Sequence, residues 1–221
     1  MTKYVTAILL IVVMIFSFTY AAADDLSGKS IEELYQLRES INNEIASRQS
    51  AVELQEGTPI QNIFPDKDLA KLVRDETGKI SINDKVTQKD LDSVRSIYAT
   101  RNEDIKSLEG IEYLRNLESL SMFGQKNLAY VPDTIGSLTS LKRIEFSESL
   151  FLEFLPDSIC DLPALRSLNL RSSAIKALPD DIGNLTNLAE IDISYTNITD
   201  LPESIYALNL GTFNRTGLDF E

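Results

Sequence analysis

Residues 156–170 read PDSICDLPALRSLNL, from Pro156 to Leu170, and the same pattern recurs on both sides of them. PDTIGSLTSLKRIEF begins at Pro132, PDDIGNLTNLAEIDI at Pro179 and PESIYAL at Pro202, and the four segments align without gaps. Ile135, Ile159, Ile182 and Ile205 hold this register at nearly constant steps, and Leu117, Leu141, Leu165 and Leu188 keep the same interval. A fixed period of this size marks a stack of like units, because no unit can bury its apolar side alone. Within each unit the spacing L-x-x-L-x-L, as in Leu165, Leu168 and Leu170, predicts a short strand. Its apolar residues point inward and the residues between them point out. Each unit then passes through a small polar residue and closes on Leu-Pro or Val-Pro (Val131-Pro132, Leu155-Pro156, Leu178-Pro179, Leu201-Pro202). The proline starts a helical turn, and the Asp or Glu that follows suits the unpaired N–H groups and the dipole there. The helical side is the bulkier, so the stack curves with its sheet on the inside.

The unit resembles that of the leucine-rich-repeat family, of the L-P-x-x-I-x-x-L-x-x-L kind, over roughly Leu91 to Leu208. The resemblance implies an α/β fold: a leucine-rich-repeat solenoid with a curved parallel sheet inside, short helices and turns outside, and a helical N-terminal cap. One departure is visible. Where the family places an Asn that satisfies turn backbone between repeats, this chain has Gln125, Ser149, Ser173 and Thr196. Ser and Thr have shorter reach, which predicts a weaker ladder on the same fold.

Upstream, Ile63 to Val73 has helical spacing with Gly78 as a stop. Thr87 and Asp90 have the spacing of a capping box, and Ile105 to Leu120 leads into the repeats. These three pieces, in this order, resemble the N-terminal cap of the internalin family of bacterial surface proteins over about Ile63 to Leu120. That resemblance implies a cap continuous with the first strand. The repeats themselves differ from internalin repeats in their length and their Leu-Pro, so cell invasion is not implied.

Lys3, the apolar run from Val5 to Phe16 and Ala21-Ala22-Ala23 before Asp24-Asp25 read as an export signal cleaved near Ala23. An uncleaved anchor is the competing reading. Ser30 to Arg48 reads as one amphipathic helix, with Ser30 and Glu33 as capping box and Ile31, Leu34, Leu37, Ile41 and Ile45 on one stripe. Residues 55–59 read as a linker. The expected organisation is a signal peptide at 1–23, helix and linker at 24–57, an N-terminal cap at 58–104 and leucine-rich repeats at 105–221. The last of these ends in a short closing segment, because Gly211 stands where Leu is due and Leu218 and Phe220 remain as cover. Localisation is then secreted, extracytoplasmic or at the cell surface, with contact to a membrane only if the first segment is uncleaved. The chain is a monomer, or a weak dimer through the 30–48 helix.

A formal net charge of -13 argues against nucleic acid as a partner, since phosphate binding is driven by Lys and Arg. The 221 residues contain no His, which removes imidazole-based triads and metal sites. The one Cys, Cys160, falls on the outer turn with no activating base in view, and no Gly-rich phosphate loop is present. No cofactor, metal or catalytic residue is expected, and the chain does not read as an enzyme. Asp180-Asp181 reads as helix-start electrostatics.

The informative residues are those between and just after the inward leucines. They are Ser119, Ser121 and Phe123; Arg143, Glu145 and Ser147; Ser167, Asn169 and Arg171; Glu190, Asp192 and Ser194, with Tyr195 beside them. Phe123, Arg143, Glu145, Asn169, Arg171, Glu190, Asp192 and Tyr195 are the expected contacts to a protein partner of unknown identity, since Arg and aromatic groups carry interface energy. Five or so strands about 4.8 Å apart span roughly 20 to 25 Å, the width of one protein patch or a peptide. The alternative reading is a structural or envelope-associated protein that self-associates or is anchored through its N-terminal helix.

Overall fold

The computed structural model describes residues 57–101 and 104–218. The export segment, the 30–48 helix with its dimer reading, and Phe220 lie outside the described residues. Everything below concerns the unit Gln49–Glu221.

Part of the stretch that read as a linker is built into this unit. Thr58–Pro59 (β1) pairs antiparallel with Lys85–Val86 (β2), and Thr58 is buried. The expected helix from Ile63 is in fact two, Ile60–Ile63 (α1) and Lys67–Glu76 (α2). Pro65 lies between them and forces Phe64 into an extended conformation. Asp66 restarts the helix: its Oδ1 accepts the N–H groups of Asp68 and Leu69, both at 3.0 Å. Leu69, Ala70 and Val73 turn inward, and Gly78 at φ +66° ends the helix. The expected capping box is present on Gln88–Leu91 (α3), with Thr87 and Asp90 each accepting the other's backbone N–H. Asp66 Oδ2 also accepts the N–H of Lys106 at 2.8 Å, and Asp68 Oδ2 that of Asp104 at 3.0 Å. The start of α2 is thereby tied to the first repeat. A Cβ at Gly110 would overlap the carbonyl of Ile63, so only glycine permits the backbone contact there.

The repeats form a six-stranded parallel sheet in chain order: Ser96–Ala99 (β3), Ser119–Met122 (β4), Arg143–Glu145 (β5), Ser167–Asn169 (β6), Glu190–Asp192 (β7) and Thr212–Asn214 (β8). Leu165, Leu168 and Leu170 are fully buried, as are their counterparts in the neighbouring repeats. The outer layer consists of single 3-10 turns, such as Asp133–Ser137 and Asp157–Asp161, with the proline one position before each. Behind Pro179 the turn is shorter, Ile182–Asn184, and Asp181 stands before it without a side-chain capping bond.

The last repeat corrects the sequence register. Thr212 pairs with Glu190 and Phe213 with Ile191, a step one shorter than the one that pairs Glu190 with Ser167. Leu210 therefore occupies the leucine position assigned to Gly211. The stack stays in phase through this shortened unit, and Leu208, Leu210, Phe213 and Leu218 pack half-buried against the core.

Leaving each of β4–β8, the chain passes through one left-handed residue. Gly124, Glu148, Ser172, Tyr195 and Gly217 have φ between +56° and +79°. The N–H of Gly124 is donated to Ser147, that of Glu148 to Arg171, that of Ser172 to Ser194 and that of Tyr195 to Thr216, at 2.8–2.9 Å. This conformation turns the backbone while keeping the inter-repeat ladder intact. In the next column, Gln125 reaches across repeats: its Oε1 accepts the N–H of Ile105 at 2.9 Å and its Nε2 donates to Thr100 O. Ser173 and Thr196 instead donate within their own turn, to Leu170 O and Ile193 O, and the buried Ser149 hydroxyl has no partner. The side-chain ladder is thus local beyond Gln125, and cross-repeat backbone bonds such as Ala174 N–H to Ser149 O (3.1 Å) carry the stacking.

Candidate protein-binding face

Strand alternation sends every second residue of β3–β8 to the face away from the core. Pairing aligns these residues into a first row, Ser96, Ser119, Arg143, Ser167, Glu190 and Thr212. The second row is Tyr98, Ser121, Glu145, Asn169, Asp192 and Asn214. Arg143 and Asp192 consequently share one face. Arg143, Arg171, Glu190 and Tyr195 are exposed, whereas Phe123, Glu145, Asn169 and Asp192 are half-buried. Ser119, Ser121, Ser147 and Ser194, which the alternation predicts to be displayed, are buried instead. Their hydroxyls are short and lie recessed between longer neighbours.

The recessed serines organise the charges above them. Glu145 accepts from Ser121 Oγ at 2.7 Å, Ser147 Oγ at 3.0 Å and Asn169 Nδ2 at 3.4 Å, so this carboxylate is fixed at the centre of the face. Asp192 accepts the N–H of Ser194 at 2.9 Å and Asn214 Nδ2 at 3.3 Å. At the margin where the left-handed column begins, guanidinium groups stack on rings, Arg171 over Tyr195 and Arg101 over Phe123, each 4.8 Å from the centroid. Arg101 also pairs with Glu148. These contacts hold long side chains in fixed positions on the face.

The sequence reading lacks Ser96, Thr212 and Asn214 of these rows and, at the first repeat, two larger residues of the face. Tyr98, 55% exposed, stands at the head of the second row, where the hydroxyls of Ser119 and Ser96 and the nearby Arg143 hold its phenol below the ordinary tyrosine range. Arg101 belongs to the same repeat. The signal that finds them is the repeat interval carried one unit back, from Leu120 to Ile97 and from Met122 to Ala99. It is weak in the sequence because Ala99 replaces a large apolar residue.

On the outer side Cys160 is buried among Asp157, Asp161 and Asp181. Burial foremost, and then these carboxylates, push its thiol up to about 12, so it stays protonated at neutral pH, the opposite of an activated nucleophile.

Residues 46–92 match a family model described as bacterial adhesion/invasion protein N terminal (Internalin_N). Internalin C of Listeria monocytogenes is 37% identical over 82 residues, covering 37% of this chain and 27% of that protein. Internalin H of the same species is 38% identical over 65 residues, 29% of this chain and 12% of its own length. The chain thus spans under a third of either relative. A solved structure, the secreted internalin-like protein Lmo2445 from Listeria monocytogenes, superimposes with a TM-score of 0.52 at 21% identity, covering 73% of this chain and 67% of that one. With an Internalin_N match in its cap and a stack of like repeat units behind it, this chain is a leucine-rich-repeat solenoid whose N-terminal cap is similar to that of the bacterial internalins.

Proposed function

We propose that the chain is an exported, non-enzymatic binding module that recognises a protein through the exposed face of its six-stranded sheet. The observation that carries this reading is the alignment of Tyr98, Arg143, Glu145, Asn169, Glu190 and Asp192 in two adjacent rows, flanked by Arg171 stacked on Tyr195. Mixed charge, aromatic groups and pre-positioned arginines are the chemistry of protein interfaces, in which few residues hold most of the energy. The likeness to internalins, one of them named as secreted, supports export, and the apolar run before Asp24 supports it independently.

The test is capture of a cross-linked partner from the native surroundings, using wild type and the double charge reversal Arg143→Glu with Asp192→Lys. The double variant loses the partner while its circular dichroism and unfolding midpoint remain those of a folded chain. Undiminished capture by that variant overturns the sheet-face assignment. A mature N-terminus beginning near Asp24, read by mass spectrometry, checks export.

A further inference from the structure

The charges on the sheet face are not evenly mixed along the stack. In the two rows β5 carries Arg143 together with Glu145, whereas β7 carries Glu190 and Asp192 with no basic residue, and the strands beside β7 contribute only neutral groups to the same rows. Ser167 and Thr212 flank Glu190, and Asn169 and Asn214 flank Asp192. Together these six residues line a depression of about 170 Å³ over β6, β7 and β8. Among the described residues neither carboxylate forms an ion pair, although the face carries arginines elsewhere.

We propose that this depression receives a single lysine or arginine side chain of the protein partner. The proposal rests on the sheet-face reading and adds the chemistry of the partner to it: a segment presenting a basic side chain toward β7. Size points to one side chain. At roughly 30 Å³ per water the space holds about five to six waters, well below the roughly 300 Å³ or more of small-molecule pockets. Charge complementarity decides the sign. Two acidic residues whose Cα atoms stand about 6.6 Å apart along one strand attract a cation, and no cation of the described chain neutralises them in place. Preorganisation decides the position. The N–H of Ser194 and the amide of Asn214 fix the Asp192 carboxylate while leaving it lone pairs for an incoming donor. The remaining amide and hydroxyl oxygens can accept from the other N–H groups of a guanidinium, whose fork suits several acceptors at once.

The full chain is titrated, by amide NMR, with a blocked pentapeptide carrying one arginine between glycines and with its uncharged citrulline counterpart. The arginine peptide produces saturable shifts at Asn169, Asp192 and Asn214, about tenfold stronger in affinity than citrulline and weakened by salt. The isosteric pair Glu190→Gln with Asp192→Asn abolishes the preference for arginine, while Asp180→Asn with Asp181→Asn on the outer turn leaves it intact. Equal binding of the citrulline peptide, equal loss in the outer variant or no saturable shift at these amides overturns the proposal. If the partner is still lost on reversing Arg143 and Asp192, such a failure removes the basic side chain and spares the sheet-face reading. If the partner is retained, both fall.

Discussion

The guanidinium of Arg171 lies 4.8 Å over the ring of Tyr195, and Tyr195 itself sits at φ +58°, a conformation that disfavours bulky side chains. The aromatic group is therefore held at the edge of the sheet face at some backbone cost. Stacking at an exposed site returns about 0.5–1 kcal/mol. A double-mutant cycle with Arg171→Gln and Tyr195→Ala, measured by chemical denaturation, gives a coupling of that size. A coupling near zero shows that the two side chains do not hold one another.

The left-handed column makes a prediction of opposite sign. Ser172 adopts φ +56° where Gly124 and Gly217 serve the equivalent turns. Left-handed geometry costs a non-glycine residue about 1–2 kcal/mol, and glycine's greater freedom in the unfolded chain removes part of the gain. Ser172→Gly stabilises the fold by about 0.5–1 kcal/mol, seen as a raised denaturation midpoint at unchanged slope. Ser173→Gly, one residue on and outside the column, does not.

Gln125 is the one long side chain in its column, and removing it leaves the buried N–H of Ile105 without its acceptor. Gln125→Ala costs about 1–3 kcal/mol, the usual penalty for an orphaned buried donor. Thr196→Ala, which deletes a bond made only within its own turn, costs less. Equal losses in the two variants contradict the reading of Gln125 as a side chain that ties neighbouring repeats together.

Acid and neutral pH act on different carboxyls. Burial raises the pKa of Glu112 above 4.5, only partly offset by backbone N–H groups and by the Thr134 hydroxyl at 3.0 Å. The native state keeps this proton to higher pH than the unfolded chain. Its contribution is fully present below about 4.5 and is lost as pH rises through the folded value. Asp90 behaves in reverse: the N–H of Thr87 lowers its pKa below 3.8, so its contribution is present above that value and is lost as pH falls through the folded one. Unfolding followed from pH 3 to 7 shows Glu112→Gln more stable than wild type at pH 7 with the difference closing toward pH 4. Asp90→Asn loses stability at pH 7 and converges on wild type only under acid.

Much of this protein could be read from its residues alone. The recurrence of Leu165, Leu168 and Leu170 at a fixed interval settles the stacked parallel sheet, because strand alternation leaves such a pattern only one way to bury its leucines. The same alternation places Arg143, Glu145, Asn169, Glu190 and Asp192 together on the far side, and Thr87 with Asp90 announces a helix start through local hydrogen bonds.

Register and depth were decided by the folded chain. The shortened step at Leu210 and the weak first strand at Ile97 are fixed by pairing with neighbours distant in sequence, and Tyr98 joins the face only through them. Burial of Ser119, Ser121, Ser147 and Ser194 depends on the size of the side chains beside them across the sheet. The depression over β7 exists because three strands place short neutral groups around Glu190 and Asp192. Periodicity belongs to the chain as a line, whereas the shape of a surface depends on what lies on adjacent strands, and that follows only from the stacking.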